Sequence, residues 1–420
     1  MNITHLGEAT FPSPVKRSIN DDLRVPEHII HFKNSTSNTG LEFELAGPRE
    51  KLYFDPQKTR AGIVTCGGLC PGLNDVIRSI YLELYHAYGI KEVLGFRGGY
   101  QGLDPDYTNP PIALTAEFVD DIHKEGGTVL GTSRGPVDVK RAVDNLVKLG
   151  INILFTIGGD GTQRGGNAIF QEAKKRGYAL SVVGVPKTID NDVAFVSRTF
   201  GYLTAVQEAT VVLDRAHIEA RSVENGISLV KLMGRHAGFI AAGATVASQD
   251  VNFTLVPEVP FKLEGEYGFL NTLKRRILDR KHAVIVVAEG AGQDLLERSS
   301  TNRDSSGNIK LIDIGPFIRE KIESYFKLEQ VPVVLRYFDP SYIIRSSRAN
   351  AEDSILCDLF ARNAVHAAMA GKTGLVIGYL HDKFIHVPIE LLASRTKTMD
   401  TDGFAWSAVL AATGQPEKFE

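Results

Sequence analysis

The stretch Pro186-Lys187-Thr188-Ile189-Asp190-Asn191-Asp192 carries the residue types that phosphoryl transfer to an alcohol needs. A lysine neutralises phosphate charge, and an aspartate takes the proton that a hydroxyl loses as it attacks phosphorus. In this reading Lys187 is the neutraliser, Asp190 the general base, and Asp192 supports a metal or the geometry. If the segment is extended, residues two apart share a face, so Asp190 and Asp192 point together and their repulsion must be offset by a cation or by hydrogen bonds. Taken alone, Asp-Asn-Asp reads more readily as a surface loop with capping aspartates. Other turns in the chain change that balance.

Gly158-Gly159-Asp160-Gly161-Thr162 follows an apolar run and precedes a helical pattern. Glycines there let the backbone approach phosphate oxygens, and the helix start adds amide donors. Asp160 is then placed to hold Mg2+, directly or through water. The plainer alternative is a tight turn with Asp160 as helix N-cap. Met233-Gly234-Arg235 ends another apolar run, and His236-Ala237-Gly238 opens a helix, so Arg235 is positioned to clamp a phosphate with two donors. Arg134, after Gly131-Thr132-Ser133, is a second such cation. Gly67-Gly68-Leu69-Cys70-Pro71-Gly72 is also a strand-to-helix turn, with neither a Walker A lysine nor dinucleotide glycine spacing. Tyr342 and Arg345 lie three apart, and Arg336 lies nine residues before Arg345. An ordinary buried strand with polar flanks is the plainer reading of that stretch.

Positioning these groups takes an α/β scaffold. Apolar runs at residues 61–66, 151–157, 180–185, 227–232, 282–288 and 374–380 read as strands. Helical patterns follow at Val76, Ile77, Ile80, Tyr81, Leu84 and Tyr88, near 163–176, and over 352–370. Such alternation gives βαβ units, a mostly parallel sheet, and ligand sites beyond the carboxyl ends of the strands, where nearly every glycine motif falls. At 420 residues the chain is expected to form two doubly wound, mostly parallel α/β lobes with an N-terminal extension. Residues 1–58 read as that extension, irregular and proline-bearing, with room for one short strand. The first lobe takes residues 59–200 with parts of 346–405, the second 201–345, and residues 406–420 form a tail. The stretch 297–309 and the run Asn34 to Thr39 are polar and read as loop.

A net charge of −3 gives no general case for nucleic acid or acidic membranes, so phosphate recognition must be local. Three cysteines, Cys66, Cys70 and Cys357, are too few for a disulfide framework and fit a reducing, cytoplasmic setting. No apolar run reaches about 18 residues, so no membrane span is expected. The first ten residues lack the apolar stretch of a secretory signal.

Together these motifs resemble the phosphofructokinase family, and in detail its plant and protist ATP-dependent branch, which is close to the pyrophosphate-dependent one. The resemblance spans about residues 45–400. It rests on the order of Ala46-Gly47-Pro48-Arg49, the Gly67 turn continued by Leu73-Asn74, the Gly158 turn, Pro186 to Asp192, Met233-Gly234-Arg235, and Tyr342-Ile343-Ile344-Arg345. It implies a glycolytic 6-phosphofructokinase that moves a phosphoryl group from ATP, with Mg2+, to the 1-hydroxyl of fructose 6-phosphate. On that resemblance Asp190 matches the proton acceptor, with Asp192 and Arg235 beside it in catalysis, and Asp160 matches the Mg2+ ligand. Gly68, Arg134, Gly135, Gly159, Asp160, Gly161 and Thr162 match nucleotide or phosphate positions. Thr188, Ile189, Asp190, Met233, Gly234, Arg235 and Glu289 match sugar-phosphate contacts, and Arg336, Tyr342 and Arg345 match the stretch that binds the 6-phosphate and sugar. The lobe at 59–200 would then take the donor and that at 201–345 the sugar phosphate. A cytoplasmic homo-oligomer, dimer or tetramer, is implied, with no nucleic-acid or membrane partner.

Positions 161 and 187 bear on the donor. The family's pyrophosphate enzymes typically carry aspartate at 161, where a carboxylate would crowd and repel the α-phosphate of ATP; Gly161 leaves room. Lys187 points the other way, being the residue of the pyrophosphate enzymes, but a lysine near the β- or γ-phosphate suits either donor. Two positions depart from the common bacterial pattern: Gly226 stands where a subunit-bridging arginine is usual, and Tyr342 where histidine is usual. The bacterial allosteric scheme is therefore not carried over. The alternatives are a pyrophosphate-dependent phosphofructokinase, a NAD-kinase-like or lipid-kinase-like enzyme sharing Gly-Gly-Asp-Gly-Thr, and a nucleotide-binding regulatory subunit without catalysis.

Overall fold

The computed structural model describes residues 2–30, 40–135, 138–296, 311–392 and 394–420. The polar stretches Asn34 to Thr39 and 297–309 lie outside the described residues. The chain divides into two compact units. Unit one is Met1–Thr188, Val193–Gly201 and Ser347–Thr396; unit two is Ile189–Asp192, Tyr202–Ser346 and Lys397–Glu420.

Unit one is built on a nine-stranded sheet. Its centre is five parallel strands in the order Leu375–Leu380, Ser181–Pro186, Ile153–Gly158, Ala61–Thr65 and Val93–Phe96. Every residue of Ala61–Thr65, Ile153–Gly158 and Ser181–Pro186 is buried, as parallel strands covered on both faces must be. Leu154 and Val182 join a core cluster with Val143 and Leu146 of helix Val139–Leu149 and Ile169 and Phe170 of helix Asp160–Lys175. Helix Leu73–Leu82 packs on helix Ala351–Met369, which Asn350 caps by accepting from the Asp353 amide.

The flanks of this sheet are antiparallel. Leu375–Leu380 turns back into Lys383–Pro388 through His381 and Asp382, whose φ angles of 50° and 58° form a two-residue hairpin turn. Glu42–Leu45 and Arg24–Pro26 extend that edge, and Ile112–Ala113 closes the other. The reading of residues 1–58 as irregular is corrected: the described residues among them carry five short strands, the others being Thr4–His5, Phe11–Pro12 and Lys51–Leu52. Thr4–His5 pairs with Lys372–Thr373. Strands of two to four residues show no periodicity, and the partners of Thr4–His5 and Glu42–Leu45 on Lys372–Thr373 and Lys383–Pro388 lie far along the chain.

A charge network, buried except at Asp21, fastens this edge. Glu44 accepts from Arg49, Lys372 and His386 at 2.7, 2.6 and 2.8 Å. Asp21 accepts from Arg49 at 2.6 Å and Lys372 at 2.8 Å. Arg49, part of the motif Ala46 to Arg49, therefore serves the N-terminal edge.

Unit two has a four-stranded, wholly parallel sheet in the order Phe253–Leu255, His282–Ala288, Gly226–Leu232 and Val334–Phe338. Helices Phe269–Arg280 and Ile314–Leu328 bury Leu273, Ile277, Ile318 and Phe326 against it. Residues 406–420 are not a tail: Trp406 and Val409 of helix Phe404–Thr413 are buried, and Phe419 enters the core beside Phe253 and Phe269. The aromatic positions of that segment lacked a recognisable partner in sequence. Gly226 opens its strand so close to the Ala220 carbonyl that a Cβ would overlap it, so the position has no room for a side chain without a backbone shift.

Candidate active site

In unit one the sequence motifs meet at the carboxyl ends of the central strands. Pro186 stands opposite Gly158 in the ladder, and the Lys187 amide donates to Gly158 O at 3.1 Å. Helix Asp160–Lys175 starts at once, with Gly159 as N-cap and Asp160 as its first residue. Asp160 is therefore not the N-cap but an exposed carboxylate in the first turn, where the helix end favours negative charge. The nearest atom to a Cβ built on Gly161 is Arg164 Nη2 at 3.9 Å, and Gly161 lies in the helix, so neither backbone nor packing requires glycine there. Thr162 is buried, and its carbonyl accepts from the Tyr100 hydroxyl. Burial holds Tyr100 well above its usual range, so it stays a donor.

The Lys187 ammonium is buried and donates to Gly68 O at 2.5 Å. The Gly67 amide donates to Ser133 O at 3.1 Å, and Thr132 Oγ1 donates back to Gly67 O at 2.7 Å. That exchange attaches the loop bearing the exposed Arg134 and Gly135 to the Gly67 turn. Burial pushes the Cys66 thiol up to about 12, and none of the three cysteines is bridged. Sequence reading missed Gln163. Its Nε2 donates to Gly158 O at 2.9 Å and to Val185 O at 3.3 Å, tying two strand ends together.

In unit two the residues after Gly226–Leu232 and His282–Ala288 are joined in the same way. Glu289 N–H donates to Leu232 O at 2.9 Å and Gly290 N–H to Gly234 O at 3.1 Å. Gly234 has φ 128°, and a Cβ there would lie 2.6 Å from Ala237 O, so this turn needs glycine. The helix begins at Phe239 rather than His236, with Gly238 as N-cap. The Glu258 carboxylate accepts from Gly238 N–H at 3.0 Å and from Met399 N–H at 2.9 Å. Neither Glu258 nor residues 397–399 carried a motif signal.

Asp190 and Asp192 are both half-buried in Ile189–Asp192. Asn191 has φ 55°, so the segment is not extended, and the alternation argument for the two aspartates does not apply. Asparagine tolerates this left-handed conformation. The Lys397 amide donates to Asp192 O at 3.1 Å, and its ammonium lies over the Phe239 ring at 4.9 Å. Burial draws Lys397 down to about 8, against the pull of Asp192. In unit one, Thr199 Oγ1 fixes the Thr188 carbonyl at 2.8 Å.

Residues 340–346 are a run of turns, not the buried strand that was the plainer reading. Ile343 and Ile344 amides donate to Pro340 O at 2.8 and 3.0 Å, and the Arg345 guanidinium lies 4.7 Å from the Tyr342 ring centroid. Burial raises the Glu289 carboxyl, while Arg235, Lys231 and Arg345 pull it down and Asp339 pushes it up; Met233, Gly234, Arg235, Glu289 and Arg345 thus share one neighbourhood. Arg336 is placed elsewhere. It sits mid-strand opposite Ser228 and pairs with Glu219 at 2.7 Å, away from the carboxyl end.

Among the described residues no group of three His, Cys, Asp or Glu side chains could hold a metal by itself. An exposed carboxylate such as Asp160 fits a Mg2+ that keeps water and takes substrate oxygens. No helix of the described residues is long and apolar enough to cross a membrane.

Parallel sheets whose carboxyl ends carry glycine turns and cations define an α/β phosphate-handling protein. The chain belongs to the phosphofructokinase family, whose model ("Phosphofructokinase") matches residues 60–368. It is 50% identical over 379 residues to the ATP-dependent 6-phosphofructokinase of Borreliella burgdorferi, covering 89% of this chain and 85% of that protein. It is 44% identical over 419 residues to ATP-dependent 6-phosphofructokinase 7 of Arabidopsis thaliana, covering 97% and 85%. Its fold matches the crystal structure of a pyrophosphate-dependent phosphofructokinase from Marinobacter aquaeolei with a TM-score of 0.70 at 21% identity, covering 86% and 93%.

Proposed function

We propose that the protein is an ATP-dependent 6-phosphofructokinase, a phosphotransferase converting fructose 6-phosphate to fructose 1,6-bisphosphate. The observation that carries this reading is Gly161, a position with open space and no backbone need for glycine, in a chain 50% identical to an ATP-dependent enzyme. The donor is read on Gly68, Arg134, Gly135, Gly159, Asp160, Gly161, Thr162 and Lys187 of unit one. The sugar phosphate is read on Ile189, Asp190, Met233, Gly234, Arg235, Glu289, Tyr342 and Arg345 of unit two, with Thr188 leading into that loop. The placement of Arg336 does not support a contact alongside Tyr342 and Arg345.

The 1-hydroxyl oxygen attacks the γ-phosphorus, the bond to the ADP oxygen breaks, and Asp190 accepts the hydroxyl proton as the new bond forms. Asp192 orients that loop through its carbonyl, and Arg235 meets charge on the transferring group. Asp160 would hold Mg2+, which when bound neutralises phosphate charge. Lys187, fixed on Gly68 O, contacts phosphate of either donor. Three unbridged cysteines support a cytoplasmic setting, and the resemblance supports a homo-oligomer.

A coupled assay of fructose 1,6-bisphosphate formation tests the reading, with ATP and pyrophosphate compared as donors. ATP should be used and pyrophosphate not; preference for pyrophosphate would sink the donor assignment.

A further inference from the structure

Lys231 is the penultimate residue of Gly226–Leu232, a strand whose seven residues are all buried. A lysine in such a strand is costly unless its charge is met. Here both Asp313 oxygens lie 3.0 Å from Nζ, and Asp339 Oδ2 lies at 2.8 Å. Burial works against this ammonium, but the two carboxylates outweigh it and hold the proton firmly. The carboxylates have further duties. Asp313 caps helix Ile314–Leu328 by accepting from Gly315 N–H at 3.1 Å. Asp339 Oδ1 accepts from the Ser341 amide and hydroxyl at 3.2 and 2.5 Å, which sets the start of the turns carrying Tyr342 and Arg345. Asp339 also belongs to the charge neighbourhood of Glu289, Arg235 and Arg345.

We propose that Lys231 is a positioning residue for sugar-phosphate recognition: by neutralising Asp339 and anchoring it under Ser341, it keeps that carboxylate from competing with the substrate phosphate for Arg345 and Arg235. This rests on the reading of unit two as the sugar-phosphate half. Without Lys231, Asp339 becomes an uncompensated negative charge among the groups meant for an anion. Removing that charge as well should restore recognition.

The test is steady-state kinetics of the full chain as Lys231→Met, Asp339→Asn and the double variant. Lys231→Met should raise KM for fructose 6-phosphate about tenfold or more, with KM for ATP and kcat within about threefold of wild type. Asp339→Asn keeps an acceptor for Ser341 and should cost about threefold or less. The double variant should return to within about threefold of wild type, a rescue that a merely structural lysine would not give. A double variant no better than Lys231→Met, or a loss confined to kcat, overturns the inference. If Lys231→Met does not fold, the double variant carries the test, and a KM raised about tenfold there overturns it equally. Wild type that forms no fructose 1,6-bisphosphate overturns the functional reading, and the inference with it; active wild type with no KM pattern overturns the inference alone.

Discussion

Gly161→Asp separates donor recognition from stability, because the structure predicts opposite signs for the two. Among the described residues the atom nearest a Cβ at this position, the helix's own backbone aside, is Arg164 Nη2 at 3.9 Å, in a helix that does not need glycine. A carboxylate at the second helical position gains roughly 0.3–1 kcal/mol from the helix end. Replacing glycine adds about 0.3 kcal/mol of helix propensity. The variant should thus be more stable by about 1 kcal/mol, a rise of about 1–3 °C in Tm for a protein of this size. Against ATP the same carboxylate is a like charge. At about 5 Å and an effective dielectric of about 20, two such charges repel by roughly 3 kcal/mol. The position is exposed and Arg164 is adjacent, so solvent and ion pairing reduce this to on the order of 1–2 kcal/mol, or roughly 5- to 30-fold in KM for ATP. Donor titrations at saturating fructose 6-phosphate, with thermal melts of the same preparations, read both quantities. Gly161→Ala is the control, adding volume without charge: it should stabilise and leave KM for ATP unchanged. A folded Gly161→Asp enzyme with wild-type KM for ATP would refute the reasoning, and an alanine variant with the same loss would show that room, not charge, decides.

Asp190→Ala should lower kcat by at least ~10²-fold while KM for both substrates stays near wild type, as for a general base; near-normal turnover removes Asp190 from that role. Acid stability follows from His386 and His366, each drawn down to about 4 chiefly by burial. Between pH 4 and the ordinary value of 6.5 the unfolded chain binds protons at these positions that the folded chain does not, so stability falls as pH falls through that window. The loss has a ceiling of roughly 3 kcal/mol for each histidine. Urea midpoints at pH 7 and pH 4.5 should show it, and His366→Phe should flatten the slope; a wild-type midpoint that does not move contradicts the assignment.

The positions of the Gly67, Gly158, Lys187 and Gly234 turns were legible because each sits where an uninterrupted apolar run stops. Residues 151–157 and 180–185 announce buried strands, so the glycines and Lys187 that follow had to lie at one edge. What escaped was set by long-range contact. Lys231 lies inside a strand pattern and gains meaning only from Asp313 and Asp339, more than eighty residues on. Gln163 is an ordinary helical residue until two carbonyls from separate strands surround its amide. The Asn191 backbone defeats an alternation rule that holds only for extended chain. Arg336 shares the spacing of a motif but lies on an edge strand facing a helix, and spacing alone does not reveal which end of a strand a residue occupies.

The N-terminal edge of unit one has a consequence for biosynthesis. Asp21 is separated by 351 residues from Lys372, the ammonium it binds. At about 5–20 residues per second of translation, Asp21 leaves the ribosome roughly 20–70 seconds before its partner is made. For that interval Thr4–His5 has no strand to pair with, and Glu42–Leu45 can pair only with Arg24–Pro26; their brevity leaves little sticky edge for another nascent chain. Docking of Thr4–His5 and of Glu42–Leu45 must therefore come late, after Lys372–Thr373 and the hairpin at His381 and Asp382 have been synthesised, so an edge made early is secured only near the end.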